Sequence, residues 1–126
     1  MMKETVKTDK APAAIGPYAQ AIKTNNLIFT AGQIAIDPET GKIIEGGIEV
    51  ETERVILNIK SILEAAGSSL ENVIKTTVYM DNLEEFTKMN GVYGKFFASN
   101  PPARSTVQAK LPKGVKIEID AVAIIP

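Results

Sequence analysis

Residues 27–36 read LIFTAGQIAI, and this stretch decides the fold. In an extended segment alternate side chains face opposite sides. Here both sides are apolar: Leu27, Phe29 and Ala31 on one, Ile28, Ile34 and Ile36 on the other. The C-terminal run 115–125, VKIEIDAVAII, repeats the pattern in part. Val115, Ile117, Ile119, Ala121 and Ala123 form one apolar row. Lys116, Glu118, Asp120, Val122 and Ile124 form the other, polar at first and then apolar. A sheet covered on one side only should alternate apolar with polar throughout, so both strands ask for cover on two sides.

The flanking sequence supplies one cover. Residues 19–23 and 27–36 surround Thr24, Asn25 and Asn26, which predicts a β-hairpin. Residues 37–41, DPETG, are a turn, with Pro38 presetting φ and Gly41 free to take a positive one. After Gly46 and Gly47 the period changes: Val55, Ile59, Ile62 and Ala66 form one apolar helical face. Glu49, Glu51 and Glu53 crowd its start, where the helix dipole favours negative charge, and Gly67 is the expected stop. Residues 73–80 are rich in β-branched side chains and read as a strand. Asp81 with Glu84 fits a capping box, followed by Leu83, Phe86, Asn90, Tyr93 and Phe97 at helical spacing. Pro101 and Pro102 end that helix. Residues 104–108 and 115–125 read as strands separated by a turn at Lys113 and Gly114. The order β-β-α-β-α-β-β predicts an α+β fold, a single sheet with two helices on one face. The second cover must then come from another copy, a homo-oligomer in which sheets pack together.

Composition narrows the chemistry. The 126 residues are read as one domain, 1–126. The net charge of -1 gives no broad pull on nucleic acid or an anionic membrane. The chain has no Cys and no His, which excludes a disulfide framework, a thiolate nucleophile, a Ser-His-Asp triad and the usual zinc site. Acidic residues show no metal-binding spacing, so no metal is expected. Residues 1–10 are charged and lack an apolar core, so no signal peptide is expected; with no membrane-length apolar run, a cytoplasmic protein is expected.

Candidate functional residues follow from scarcity and position. Twelve of the 14 basic residues are Lys; the only arginines are Arg54 and Arg104. Arg104 follows Pro101, Pro102 and Ala103 at the mouth of a strand. Its planar fork suits a carboxylate or phosphate, or alternatively a structural pair with Asp120 or Glu118. Arg54 reads as a solvated helix charge. Glu118 lies between Ile117 and Ile119, facing the side assigned to subunit contact, and needs either a partner such as Lys116 of a neighbouring copy or Arg104, or a chemical role. Tyr18 follows Gly16 and Pro17, where its phenol can reach a ligand or its ring can pack under a loop. Asn90, on the apolar stripe of the second helix, either caps a loop or faces a site. Gly32 after Ala31 permits close approach by a ligand or another strand.

These segments together resemble a known family. Residues 11–21 (APAAIGPYAQA), 29–37 (FTAGQIAID), 72–83 (NVIKTTVYMDNL), 101–107 (PPARSTV) and 115–123 (VKIEIDAVA) closely resemble the RidA family, also called YjgF, in order and nearly end to end. The resemblance implies a chorismate-mutase-like fold and a homotrimer whose sheets pack into a central barrel with clefts between subunits. It implies cofactor-free hydrolysis of reactive 2-imino acids, such as 2-iminopropanoate and 2-iminobutanoate, or their enamine tautomers, to 2-oxo acids and ammonia. By the same resemblance Arg104 clamps the substrate carboxylate, Glu118 orients the attacking water, and Tyr18, Gly32 and Asn90 line the site. Two positions depart from the family pattern: Ala31 stands where Ser is frequent and Thr106 where Cys is frequent, which bears on substrate range and turnover. Two further readings attach to it. One is a non-catalytic module that binds 2-oxo or 2-imino acids. The other is a ribonuclease, against which the charge and the missing His argue.

Overall fold

The computed structural model describes residues 2–126. Its strands are β1 (Glu4–Val6), β2 (Ala21–Thr24), β3 (Leu27–Thr30), β4 (Val73–Met80), β5 (Ala103–Gln108) and β6 (Ile117–Ile124); its helices are α1 (Ile48–Ala65) and α2 (Phe86–Phe97). The strands form one sheet in the order β1-β2-β3-β6-β4-β5. All pairs are antiparallel except β4 with β5, which run parallel because α2 carries the chain back across the sheet.

Both helices lie on one face, as the element order predicts. Ile28 of β3, Val78 of β4 and Ile117 and Ile119 of β6 are fully buried against Val55, Ile59 and Ile62 of α1 and Met89 of α2. Each such side chain contributes about 1.5–3 kcal/mol of burial. The turns behave as read: Asn25 takes φ 52 in the hairpin, and Lys113 (φ 58) and Gly114 (φ 70) turn the chain into β6. Gly67, at φ 89, stops α1. Its N–H donates to Glu64 O at 3.1 Å while Ser68 N–H donates to Leu63 O at 2.8 Å, the paired bonds of a Schellman end.

The opposite face stays open. Leu27 and Phe29 of β3, Val122 and Ile124 of β6 and Val107 of β5 lie there by register, with Phe29 44% and Val107 43% exposed. The apolar second side expected from residues 27–36 and 115–125 therefore exists on this face.

Five expectations need correction. Residues 27–36 are not one strand. The regular strand stops at Thr30: Ala31 N–H still reaches Gln20 O at 2.9 Å in the hairpin register, but on the β6 side the Thr30 hydroxyl accepts the Ala121 N–H at 3.0 Å, and Gln33 rejoins the sheet opposite Ile119. Residues 34–36 are held instead by α1: the buried Asn58 amide donates to Ile34 O at 3.3 Å and Ile36 O at 3.0 Å. Arg54 is no free helix charge, since its Nε donates to Asn58 Oδ1 at 3.0 Å. Asn82, not Asp81, caps the turn before α2, accepting from Glu84 N–H at 3.0 Å. On α2 itself the core face is Met89, Val92, Tyr93 and Phe97, whereas Leu83, Phe86 and Asn90 are exposed. The fifth is β1, which pairs with β2 inside the charged N-terminal stretch and carries too short an apolar pattern to announce itself. Among the described residues no helix is long and apolar enough to cross a membrane.

Candidate active site

Arg104 sits on the edge strand β5 opposite Thr76 of β4. Thr76 is fully buried, so this register turns Arg104 toward the helical layer. There Nη1 donates to Asn90 Oδ1 at 2.7 Å. The guanidinium carbon lies 4.7 Å from the centroid of the Tyr93 ring and 5.3 Å from that of Phe86. Phe86, Asn90 and Tyr93 are spaced i, i+4 and i+7, one stripe of α2. The stripe read from sequence as core is thus a cradle for a guanidinium. Thr106, two residues along β5, faces the same way. A guanidinium carries five N–H donors; Asn90 takes one, and the others remain for an anion. Among the described residues the one ion pair joins Lys116 Nζ to Glu85 Oε1 at 4.0 Å, so the structural alternative for Arg104, a salt bridge to Asp120 or Glu118, does not form within the chain.

Glu118 has the opposite orientation. It pairs with Tyr79 of β4 on the open face and is half-buried. Its carboxylate lies directly over Gly32: a Cβ there would overlap Oε2 and stand 2.8 Å from Cδ. Gly32 is needed for this closeness rather than for a special φ. Burial pushes the Glu118 carboxyl above its ordinary value, and the nearby Asp120 charge adds to the rise. Asp120 in turn accepts from the Tyr79 hydroxyl at 3.2 Å. Beside Glu118 opens a cleft of about 280 Å³ lined by Tyr18, Ile15, Gly32, Gln33 and Lys113. Tyr18 is 55% exposed, and its Oη accepts from Ile15 N–H at 3.3 Å, closing the loop at its own base. Ala31 adjoins Gly32 and presents only a methyl group. The start of β6 is pinned from behind: Lys116 N–H donates to Oε1 of the buried Glu51 at 3.0 Å. That makes Glu51 more than a favourable charge at a helix start.

The sequence-derived residues therefore fall into two groups. Tyr18, Ala31, Gly32 and Glu118 gather at one end of the open face, and Arg104, Asn90 and Thr106 gather on the helical face at the sheet edge. One strand, β4, separates β5 from β6, and the two groups look to opposite sides. A molecule gripped by Arg104 does not meet Glu118 of the same chain. Asn90 is exposed despite its place on the apolar stripe, and it accepts from Arg104 rather than capping a loop. Sequence reasoning missed Phe86 and Tyr93 as guanidinium partners, because aromatic residues at helical spacing carry the same signature whether they meet a core or a cation. It also missed Tyr79 and Lys113, which only sheet register and turn geometry bring beside Glu118.

Residues 8–125 match the family model described as endoribonuclease L-PSP. A RutC family protein of Pyrococcus abyssi is 56% identical over 124 residues, covering 98% of each chain. A human protein named 2-iminobutanoate/2-iminopropanoate deaminase is 44% identical over 125 residues, covering 98% of this chain and 91% of that one. The crystal structure of Escherichia coli TdcF with bound serine superimposes with a TM-score of 0.92 at 40% identity, covering 96% of this chain and 98% of that one. With this fold and matches spanning nearly its whole length, the chain belongs to the endoribonuclease L-PSP family, also called YjgF or RidA, and has that family's chorismate-mutase-like fold.

Proposed function

We propose that this chain is a 2-iminobutanoate/2-iminopropanoate deaminase, working as a homotrimer whose open sheet faces pack into a central barrel with an active cleft at each seam. Arg104 of one subunit grips the substrate carboxylate in a bidentate pair. That fixes the C=N carbon against Glu118 of the next subunit. The Glu118 carboxylate takes a proton from water as the water oxygen bonds to C2 and the C=N π electrons move to nitrogen. The proton returns to nitrogen. Glu118 then takes the hydroxyl proton as the C=O bond forms and the C–N bond breaks, and it passes that proton to the departing ammonia, leaving the 2-oxo acid, ammonium and the free carboxylate. A protonated imine is already electrophilic, so positioning and one base supply the acceleration without metal or cofactor. A carboxylate whose pKa is raised is also the stronger base for this step.

The observation that carries the reading is the opposed aim of Arg104 and Glu118, each with unused capacity and each on a surface that a second copy can complete. The deaminase name of the human relative supports the reaction. The serine held by TdcF favours a second reading, a module that binds amino-acid-like carboxylates without turnover. The family's ribonuclease description has less support in a chain with a net charge of -1 and no His.

The test uses imines generated by a PLP-dependent dehydratase. Arg104→Ala is expected to lower ammonia release by at least about a hundredfold while the trimer persists in sedimentation, since lost substrate positioning costs that much. Near-normal release by the variant would overturn the proposal.

A further inference from the structure

Two polar side chains beneath Arg104 have no part in the imine chemistry. Thr76 Oγ1 and Tyr93 Oη share a hydrogen bond of 2.7 Å, with Thr76 fully buried and Tyr93 5% exposed. If Tyr93 served only to fill the core, a phenylalanine would pack there without a hydroxyl needing a partner. Instead the hydroxyl is tied to Thr76, the residue that stands opposite Arg104 in the β4–β5 register. The Tyr93 ring carries the guanidinium at 4.7 Å from its centroid and leans on Phe97 with centroids 4.6 Å apart. A closed circuit results: Thr76 beside the Arg104 backbone, Tyr93 bonded to Thr76, and the Arg104 head group against Tyr93.

A long Arg side chain loses much rotamer freedom on gripping an anion, and any group that orders it beforehand improves binding. The hydrogen bond to Asn90 is a single exposed point and leaves the plane of the fork free to tilt. A ring packed on Phe97 and tied at its hydroxyl restricts that tilt. We propose that Tyr93, locked by Thr76, is a positioning residue that sets the direction in which Arg104 presents its free N–H groups to the substrate carboxylate. The proposal rests on the assignment of Arg104 as the carboxylate clamp.

The experiment measures pyruvate affinity by calorimetry, steady-state KM and kcat with dehydratase-generated imine, and melting temperature for Tyr93→Phe, Thr76→Val, their double variant and Thr76→Ser. Tyr93→Phe keeps the ring and loses only the bond to Thr76. It is expected to weaken pyruvate binding and raise KM about fivefold, the size of one lost hydrogen bond, with kcat within about twofold. Thr76→Val should do the same, the double variant should be no worse than either single change, and Thr76→Ser should restore wild-type values. Unchanged affinity and KM with only a lowered melting temperature would overturn the proposal, leaving the bond a purely structural one. Arg104→Ala separates this from the reading beneath it. If Arg104→Ala abolishes pyruvate binding while Tyr93→Phe does not alter it, only the positioning role falls. If Arg104→Ala itself leaves binding intact, the clamp assignment falls first.

Discussion

The two halves of the candidate site are built to different standards of completeness. Around Arg104 the chain supplies much: an acceptor in Asn90 Oδ1, two rings from α2, and a buried Thr76–Tyr93 pair below. Around Glu118 it supplies a carboxylate pressed onto Gly32, a neighbouring Asp120 and an open cleft, with no cation paired to it. The difference teaches where each half gets its order. The guanidinium is fixed by side chains of its own helix and sheet edge. The carboxylate is fixed mainly by strand register and by the absence of a side chain at position 32, and in the proposed trimer its counterpart is the Arg104 of another copy.

Removing the reactive group from the less complete half should have the largest effect. Glu118→Gln is expected to lower kcat about a thousandfold, within the range for a lost general base, while calorimetry still finds pyruvate bound at Arg104. Retained turnover would show that the Glu118 carboxylate does no chemistry and would overturn its assignment as the base. Next is Gly32→Ala. Its Cβ must displace the Glu118 carboxylate, so kcat should fall about a hundredfold with pyruvate affinity little changed. Unchanged kcat would mean the carboxylate position is not critical. The smallest effect is electrostatic. In the proposed reaction Glu118 acts as a carboxylate, and burial and the Asp120 charge raise its pKa, so activity should fail at a higher pH than for an ordinary glutamate as pH drops. Asp120→Asn removes the like charge, so the acid limb of the pH–rate profile should move to lower pH. A limb that stays in place would show that Asp120 does not act on Glu118.

Much of this arrangement is legible in the sequence, for identifiable reasons. The double apolar character of residues 27–36 and 115–125 marks an open sheet face, because period-2 alternation survives in Ile117 to Ile124 without error. The rarity of Arg points to Arg104, and the closeness of Gly32 to another group follows from glycine inside an apolar run. What escaped depends on pairings between distant strands. Nothing near Arg104 in sequence says that it lies opposite Thr76 rather than facing Glu118; the parallel β4–β5 register decides that. Likewise Phe86, Asn90 and Tyr93 have core spacing, yet only Tyr93 reaches the core, and all three meet Arg104 at the sheet edge. The strand predicted over 27–36 breaks after Thr30 because its hydroxyl takes the Ala121 N–H and Asn58, remote in sequence, claims the carbonyls of Ile34 and Ile36.

In the proposed trimer each site joins Arg104 of one subunit to Glu118 of the next, a pairing that mixed assembly of two variants can rebuild. Arg104→Ala and Glu118→Gln chains, each inactive alone, are co-refolded in equal amounts and assayed for ammonia release. Random threefold assembly leaves one intact seam in every mixed trimer, so the account predicts recovery to about a quarter of wild-type activity. A mixture that stays as inactive as its two components would contradict it.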